Sequence, residues 1–190
     1  MTHLLRLVAP LLITLAGPVF AVPVNYTLDT SESRVQYRVP FGNSEIFGTM
    51  PVRSARVALD FDMASNSSVS VTLNAAGATA SFPFAAATLK GATVLNTAEH
   101  PNVTFETTAF RANGNRAEVD GRITIRGVTR PITLRGGLFR ERGQTAGDRS
   151  ELLVRLTGAI NRSEFGASGF AEAVGDRVEL EILAKILRAE

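Results

Sequence analysis

The chain has 190 residues, with 20 lysine and arginine residues against 18 aspartate and glutamate residues, and it has no cysteine. This length suits one domain with a hydrophobic core, and the nearly balanced charge, without basic runs and interleaved aromatic residues, argues against a nucleic-acid partner. The lack of cysteine excludes disulfides, thiolate nucleophiles and thiolate metal sites, and His100 as the single histidine after residue 21 excludes multi-histidine zinc sites.

The first residues predict a secretory signal peptide. Arg6 gives a weakly basic start to a mostly apolar stretch, and Val19 and Ala21 fit the positions that precede a cleavage site. The alternative is a retained membrane anchor, but the apolar run is short for a span and contains proline. We therefore expect residues 1–21 to be removed and residues 22–190 to form one exported domain.

Alternation of apolar and polar residues predicts four strands in the first part of this domain. Tyr26–Asp29 opens it, and Val35, Tyr37 and Val39 alternate with polar residues in the first strand. After a turn, Ser44–Met50 forms the second strand. The apolar positions of the third and fourth strands are Val57, Leu59 and Phe61, and Val69, Val71 and Leu73.

The segment from Ala80 to Glu99 loses the alternation and predicts one or two short helices. Phe82–Lys90 contains helix formers, and Leu89–Asn96 continues the pattern, weakened by Gly91. Because the segment is apolar and interrupts a chain of strands, we expect it to cover another part of the fold.

The stretch Arg116–Phe139 carries the clearest strand signal. Val119, Ile123 and Ile125 fall on one face of an extended chain, and polar or basic residues fall on the other. Residues 127–131, Gly-Val-Thr-Arg-Pro, are predicted to break the run as a turn. The apolar face then resumes with Ile132, Leu134 and Leu138. The pattern predicts a long antiparallel hairpin with an aliphatic inner face and a basic outer face.

Further strands flank this hairpin. One runs from Val103 to about Arg111, and two more occupy Glu151–Ile160 and Arg177–Ile186, separated by a glycine-rich excursion at Ser163–Asp176. The total is eight or nine strands. Closing such strands into a barrel removes exposed edges and covers a large apolar face, so the pattern favours a barrel, with a two-sheet sandwich as the alternative.

Four stretches of the domain carry motifs in a fixed order. Tyr26–Asp29 reads Tyr-Thr-Leu-Asp, Glu99–Phe105 reads Glu-His-Pro-Asn-Val-Thr-Phe, and Asn161–Gly166 reads Asn-Arg-Ser-Glu-Phe-Gly. The most specific stretch is Asp120–Leu134, which contains Gly-Val-Thr-Arg-Pro. Together these motifs resemble those of the YceI-like proteins, and the resemblance spans essentially all of residues 22–190.

The resemblance implies a lipocalin-like barrel of eight strands, exported to the periplasm, that binds a polyisoprenoid or another long amphiphilic lipid in an apolar tunnel. The family's members are not established enzymes. Two of its motifs are missing here: Ala86–Leu89 replaces Asp-x-His-Leu, and Pro40–Gly42 stands where many members carry His-x-Gly. The implied consequence is a more apolar tunnel mouth or a different lipid.

The expected fold is therefore all-β, an antiparallel lipocalin-like barrel of eight or nine strands with one or two short inserted helices. A polyisoprenoid tail requires a dry groove lined by branched and aromatic side chains. The alternative is that inward side chains simply pack against each other. The expected ligand contacts are Tyr37, Phe47, Phe61, Phe105, Ile125 and Leu134 on strand faces, and Phe82, Phe84, Leu89, Val94 and Leu95 on the covering segment.

Charged residues near the expected mouth have simpler interpretations. Arg162 and Glu164 are expected to form a local ion pair that fixes the loop around Gly166, with contact to a lipid head group as the alternative. His100 precedes a proline and is expected at the surface of a turn, with a head-group contact as its alternative.

The sequence favours a non-enzymatic carrier or scavenger of an isoprenoid or fatty lipid in the periplasm. No cofactor is expected beyond a bound isoprenoid such as a quinone or polyprenyl chain; transient membrane contact and a homodimer are further options. A barrel-lumen enzyme is one alternative, but the chain lacks Gly-x-Ser-x-Gly, His-Glu-x-x-His and a phosphate-cradling glycine loop. Another is a filled barrel whose basic strand face docks a partner.

Overall fold

The computed structural model describes residues 22–140 and 143–190, and the expected signal peptide lies outside the described residues. Within them, the regular structure consists of nine strands, one α-helix and three short 3₁₀ turns at 64–66, 75–77 and 162–165. The elements are β1 (Val24–Phe41), β2 (Ser44–Met50), β3 (Val52–Leu59), β4 (Ser68–Asn74), α1 (Pro83–Lys90), β5 (Asn102–Asn113), β6 (Arg116–Ile125), β7 (Val128–Phe139), β8 (Glu151–Asn161) and β9 (Arg177–Arg188).

The strands pair antiparallel, and the sheet closes on itself. β3 to β9 follow one another as a meander, and β9 returns to β1 with pairs that run from Tyr26 opposite Arg188 to Arg38 opposite Glu179. Eight strands therefore form a closed barrel, and β2 folds back on the end of β1 as an additional strand. The expected antiparallel barrel is confirmed, and the sandwich is excluded because the β1–β9 ladder joins the two ends of the sheet.

β1 is longer than the alternation predicted, since Tyr26–Asp29 and Val35–Val39 belong to one strand of 18 residues. Its register against β9 shifts between Asp29 and Arg34, and the Asp29 carboxylate accepts hydrogen bonds from the backbone N–H and the hydroxyl of Ser31 at 2.9 and 2.6 Å. The start of β1 pairs with β3 and its end pairs with β2. A local irregularity of this kind bends a strand and lets it change neighbours.

The turn between β6 and β7 is tighter than predicted. The predicted break at residues 127–131 is confirmed at Gly127 and wrong for residues 128–131, because the chain reverses within Arg126 and Gly127, whose φ angles are +51° and +75°. A two-residue turn with both φ angles positive matches the right-handed twist of the flanking strands. The rest of the predicted break continues β7, and Pro131 is tolerated there because β7 pairs with β8 only from Arg135 onward.

The inner face of the β6–β7 hairpin is the one that the alternation predicted. Val119, Ile123, Ile125, Ile132 and Leu134 are all buried, and the two strands pair without a register shift. Their aliphatic side chains therefore form one continuous inner wall of the barrel, as expected of strands with one apolar face.

An aromatic cluster fills the end of the barrel where β1 begins. Tyr26 packs edge-on against Phe61, with 6.4 Å between ring centroids, and donates its hydroxyl to the carbonyl of Arg149 at 2.8 Å. The Arg149 guanidinium lies 4.1 Å from the centre of the Phe61 ring, within the range of a cation–π contact. Open space remains toward the other end of the barrel, where α1 lies.

Candidate functional site

An apolar cavity of about 470 Å³ lies beneath α1, at the end of the barrel where β1 and β6 terminate. The strands line it with branched side chains such as Val35, Val39 and Ile125, because these positions alternate inward. Ala85 and Leu89 line it from α1. Its volume falls within the roughly 300–1,000 Å³ of typical small-molecule sites, so the barrel is hollow enough to hold a ligand.

A second, smaller chamber of about 160 Å³ continues the cavity toward the middle of the barrel. Its lining is almost entirely aliphatic and aromatic and includes Phe110, Val119 and Ile186. Five side chains belong to the walls of both chambers and mark the boundary between them: Val35, Leu73, Val103, Ile123 and Leu180. The two chambers therefore adjoin, and apolar space extends from beneath α1 toward the middle of the barrel on both sides of this boundary.

Eight of the expected contact residues line these two chambers. The space beneath α1 is lined by Tyr37, Phe84, Leu89, Val94, Leu95 and Ile125. Phe105 and Leu134 line the inner chamber instead. The structure therefore brings the strand-face residues and the covering segment together around two adjoining apolar chambers; their contact with a ligand stays a prediction.

The structure places the other three expected contact residues outside both chambers. Phe47 is 57% exposed on the outer surface, because Ile46 and Met50 take the inward positions of β2. Phe61 follows the end of β3 and belongs to the aromatic cluster at the far end of the barrel. Phe82 occupies the N-cap position of α1, and its ring stacks on the ring of Phe84 with 6.0 Å between the ring centroids.

The segment 162–175, which we call the mouth loop, lines the cavity although its sequence showed no strand or helix pattern. Its inward apolar side chains include Phe165, Ala167 and Val174. Phe165 is only 1% exposed and is among the most buried side chains of the described residues. The signal that could have indicated this role is the recurrence of apolar residues within an otherwise glycine-rich stretch.

Arg162 organises the mouth loop from inside. It is 8% exposed, and its guanidinium donates hydrogen bonds to the carbonyls of Ala167, Gly169, Val174 and Gly175. The expected ion pair with Glu164 is wrong, because the guanidinium binds these carbonyls while the Glu164 carboxylate accepts from Asn161 Nδ2 at 3.1 Å. A planar group with five N–H donors can bind several carbonyls at once, which explains why arginine holds this turn.

Hydrogen bonds join the segments around the cavity opening into a continuous ring. We call this ring the rim and define it as residues 40–49, 79–96, 126–127 and 162–175. The amides of Ser81 and Thr79 donate to β2, and the Gly169 amide donates to Thr93 O at 2.9 Å. Arg126 bridges Val94 O and Gly166 O, and a β-bridge joins Phe41 to Val174. The opening is therefore framed by fixed backbone.

Tyr37 ties the cavity wall to the rim. Its hydroxyl donates to Thr79 O at 2.6 Å, and a side chain on the neighbouring Gly48 would overlap the same carbonyl. Burial raises the pKa of Tyr37 from its usual 10.0 to about 12. Burial also raises the pKa of Tyr26, an effect that Arg188 and Arg149 partly offset.

These shifts predict how the folded protein titrates in alkali. The chain contains two tyrosines, so the ultraviolet absorbance of tyrosinate should rise at higher pH in the folded than in the denatured protein. Because the folded pKa of Tyr37 is raised, its contribution to stability is complete below pH 10.0 and is lost as the pH rises toward about 12. Tyr37→Phe should remove the later titration step and leave that of Tyr26; a wild-type titration that coincides in the folded and denatured protein would contradict the burial of Tyr37.

The described residues contain neither a cluster suited to a metal ion nor a helix suited to span a membrane. No group of three or more histidine, cysteine, aspartate or glutamate side chains lies close enough within them to hold a metal ion. Their helices also lack the length and apolar character needed to cross a lipid bilayer.

A closed antiparallel barrel that keeps an apolar cavity beneath a short helical cover has the architecture of small-ligand-binding β-barrels. The family model of the YceI-like domain matches residues 26–186. The chain belongs to the YceI-like family, and the resemblance drawn from its sequence motifs is confirmed.

Similar proteins come from several bacteria. Protein YceI of Escherichia coli O157:H7 is 27% identical over 154 residues, which cover 77% of this chain and 81% of that protein. BcnA of Burkholderia cenocepacia has the same fold, with a TM-score of 0.73 at 21% identity over 83% of this chain and 98% of BcnA. A domain of Saccharophagus degradans, described as polyisoprenoid-binding, matches with a TM-score of 0.62 at 11% identity over 87% of this chain and 99% of that domain.

Proposed function

We propose that this protein binds a polyisoprenoid or another long-chain amphiphilic lipid and carries or sequesters it in the periplasm, without catalysing a reaction. The observation that carries the proposal is the apolar space of two adjoining chambers under α1. The description of the Saccharophagus domain as polyisoprenoid-binding supports the same class of ligand. The sequence features of residues 1–21 support export.

The energetics of such binding rest on apolar contact alone. Burial contributes about 0.8 kcal/mol per methylene, so each five-carbon unit gains roughly 4 kcal/mol before the cost of ordering the chain. A few units in the chambers suffice for tight binding without a charged contact. This reasoning favours a flexible hydrocarbon tail over a compact polar metabolite.

The cavity mouth favours a neutral head group. Four N–H groups of Arg162 are engaged by backbone carbonyls, and the Tyr37 hydroxyl is engaged by Thr79 O. Little of either group is left to bind an anion. The absence of the Asp-x-His-Leu and His-x-Gly motifs, whose polar residues could contact a head group, also favours a neutral head group. We therefore expect an uncharged isoprenoid, such as a quinone or a polyprenol, rather than a phosphorylated one.

The polar groups of the cavity support binding rather than catalysis. Among the described residues that line the space beneath α1, the polar side chains are Tyr37, Thr88 and Arg162. A lumen enzyme would need a nucleophile, a base and oxyanion donors that converge on one point. Two of the three groups are already bound to backbone carbonyls, so we propose binding without a chemical step.

The outer face of the β6–β7 hairpin gives little support to the alternative of a basic docking face. Glu118 accepts hydrogen bonds from Arg111 and Arg135, and Asp120 accepts from Thr133 and Arg111. The bond from Arg111 to Glu118 and the bond from Thr133 to Asp120 are the main causes that lower the pKa of the two carboxyls. Two of the arginines that made this face look basic, Arg122 and Arg135, thus lie beside carboxylates of the same sheet.

Lipid extraction tests the proposal. Protein purified from cells without detergent should yield a long-chain species on organic extraction and mass spectrometry, at close to one lipid per chain. After denaturation, extraction and refolding, the protein should take up a polyprenol and a long-chain quinone, and polyprenyl phosphate should compete poorly. Repeated failure to find or take up any long-chain lipid would overturn the proposal.

A further inference from the structure

Two phenylalanines of the rim are exposed although they line the cavity. Phe84 on α1 is 66% exposed, and Phe170 in the mouth loop is 58% exposed. Both belong to the wall of the space beneath α1. Each ring therefore has one side toward the cavity opening and another toward solvent. Isolated exposed phenylalanines need no explanation, but two at the edge of one apolar opening form a patch around the route by which a ligand enters.

The backbone of Phe170 is unusual for a bulky residue. Its φ angle is +61°, in the left-handed region that aromatic side chains rarely adopt. The amides of Ala173 and Val174 donate to its carbonyl at 3.0 and 2.9 Å and hold this turn. A strained position that leaves a large apolar ring in water destabilises the fold. Strain of this kind is concentrated at functional sites, which points to a role for the exposed ring.

The charges of the rim are balanced. Within its four segments, the accessible basic residues are Lys90 and Arg126, since Arg162 is buried, and the acidic residues are Glu45, Glu164 and Glu172. Glu45 lies 3.5 Å from Arg38, which offsets its charge. A charged protein surface or an anionic polymer would be expected to select an excess of one sign. A neutral rim with two projecting aromatic rings instead suits the interface of a zwitterionic bilayer, where amphipathic and aromatic groups insert.

We propose that the rim docks on the surface of a lipid bilayer, with Phe84 and Phe170 inserted among the lipids, so that cargo passes directly between the membrane and the cavity. The docking itself follows from the exposure and position of the two rings; the passage of cargo rests on the proposed function. The hydrogen-bonded rim keeps the rings in place, so docking requires no refolding of the mouth. Because the rim is neutral, docking should depend only weakly on salt.

Tryptophan reporters test the docking without any assumption about cargo. The chain has no tryptophan, so Phe84→Trp and Phe170→Trp each introduce a single fluorophore at the rim. Phosphatidylcholine vesicles should shift the emission of both to shorter wavelength, and lipids brominated on their acyl chains should quench it. Phe139→Trp and Met63→Trp are matched controls, because these residues are 45% and 54% exposed and lie toward the other end of the barrel; their emission should not change.

Three outcomes of the reporter experiment would overturn the docking, and a separate measurement of lipid uptake distinguishes its failure from failure of the proposed function. Equal shifts at all four positions would indicate non-specific adsorption, and no shift at the rim would exclude insertion. A rim shift that appears without vesicles as protein concentration rises would identify a second copy of the chain as the occupant. Failure of lipid uptake with rim insertion intact would overturn the proposed function and leave docking standing.

Transfer kinetics test the passage of cargo. A loaded protein should deliver a fluorescent isoprenoid to acceptor vesicles at a rate that rises in proportion to vesicle concentration. In the Phe84→Ser, Phe170→Ser double variant, the transfer rate of bound isoprenoid should fall at least tenfold. This rate should also no longer depend on vesicle concentration. Phe139→Ser should behave as the wild type. A wild-type rate that is independent of vesicle concentration would show that cargo travels through water.

Discussion

Tryptophan in place of Ala85 should weaken lipid binding at least tenfold while leaving the barrel folded. Ala85 is 7% exposed and lines the cavity from α1. An indole there would occupy the space proposed for the tail, and excluding two methylene groups removes about 1.6 kcal/mol of burial, roughly a tenfold loss of affinity. Because the new side chain grows into open space, we expect little of the ~1–3 kcal/mol that overpacking a core costs. Extracted lipid per mole of protein and a thermal melt measure the two effects.

Ala87 offers a matched control on the same helix. It is exposed, so Ala87→Trp makes the same change in helix propensity and hydrophobicity on the solvent side. This variant should carry as much lipid as the wild type and melt at the same temperature. Equal lipid content in the two variants would show that the cavity beneath α1 is not the binding site.

Much of the barrel could be predicted because strand faces obey a local rule. Side chains alternate across a strand with period two, so the inward positions of β6 and β7, such as Ile123 and Leu134, follow from the sequence alone. The reversal at Arg126 did not follow, since a non-glycine residue with positive φ is uncommon and depends on the twist of both strands. The pairing that merges the two parts of β1 is equally non-local, because it depends on β9, at the other end of the chain.

The candidate site was predictable only where it is built from strands and the covering helix. In β2, Gly48 has no side chain to mark the inner face, so the phase of the alternation was ambiguous and Phe47 was expected inside. The apolar alternation of Val57, Leu59 and Phe61 continues past Leu59, the last residue of β3. Because Phe61 is not in the strand, the alternation wrongly predicted that its ring faces the lumen. The mouth loop has no periodicity in its sequence. The positions of its cavity-lining side chains depend on the hydrogen bonds from Arg162 to the backbone carbonyls of the loop.

Replacing Arg162 with methionine should be among the most damaging changes at the cavity. Hydrogen bonds to charged groups contribute ~1.5–3 kcal/mol each, and a buried acceptor left unpaired costs ~1–3 kcal/mol. Even if water reaches some of the four carbonyls, we expect a loss of about 3 kcal/mol, which in a domain of this size lowers the melting temperature by about 6–12 °C. Because the lost hydrogen bonds belong to the mouth loop, this loop should open first. The Gly169 amide, which donates to Thr93 O, should therefore exchange its hydrogen with solvent much faster in Arg162→Met than in the wild type.

Two further variants separate this role from a general effect of losing a cation. Arg162→Lys keeps the charge but offers three donors on one nitrogen, too compact to span four carbonyls, so its melting temperature should lie between those of the wild type and Arg162→Met. Arg177→Met removes an exposed arginine that lies 3.9 Å from Glu179, and a surface pair of that kind contributes ~1 kcal/mol at most. If Arg162→Met melts no lower than Arg177→Met, the buried guanidinium does not hold the mouth loop, and the opening must owe its shape to the apolar packing of Phe165 instead.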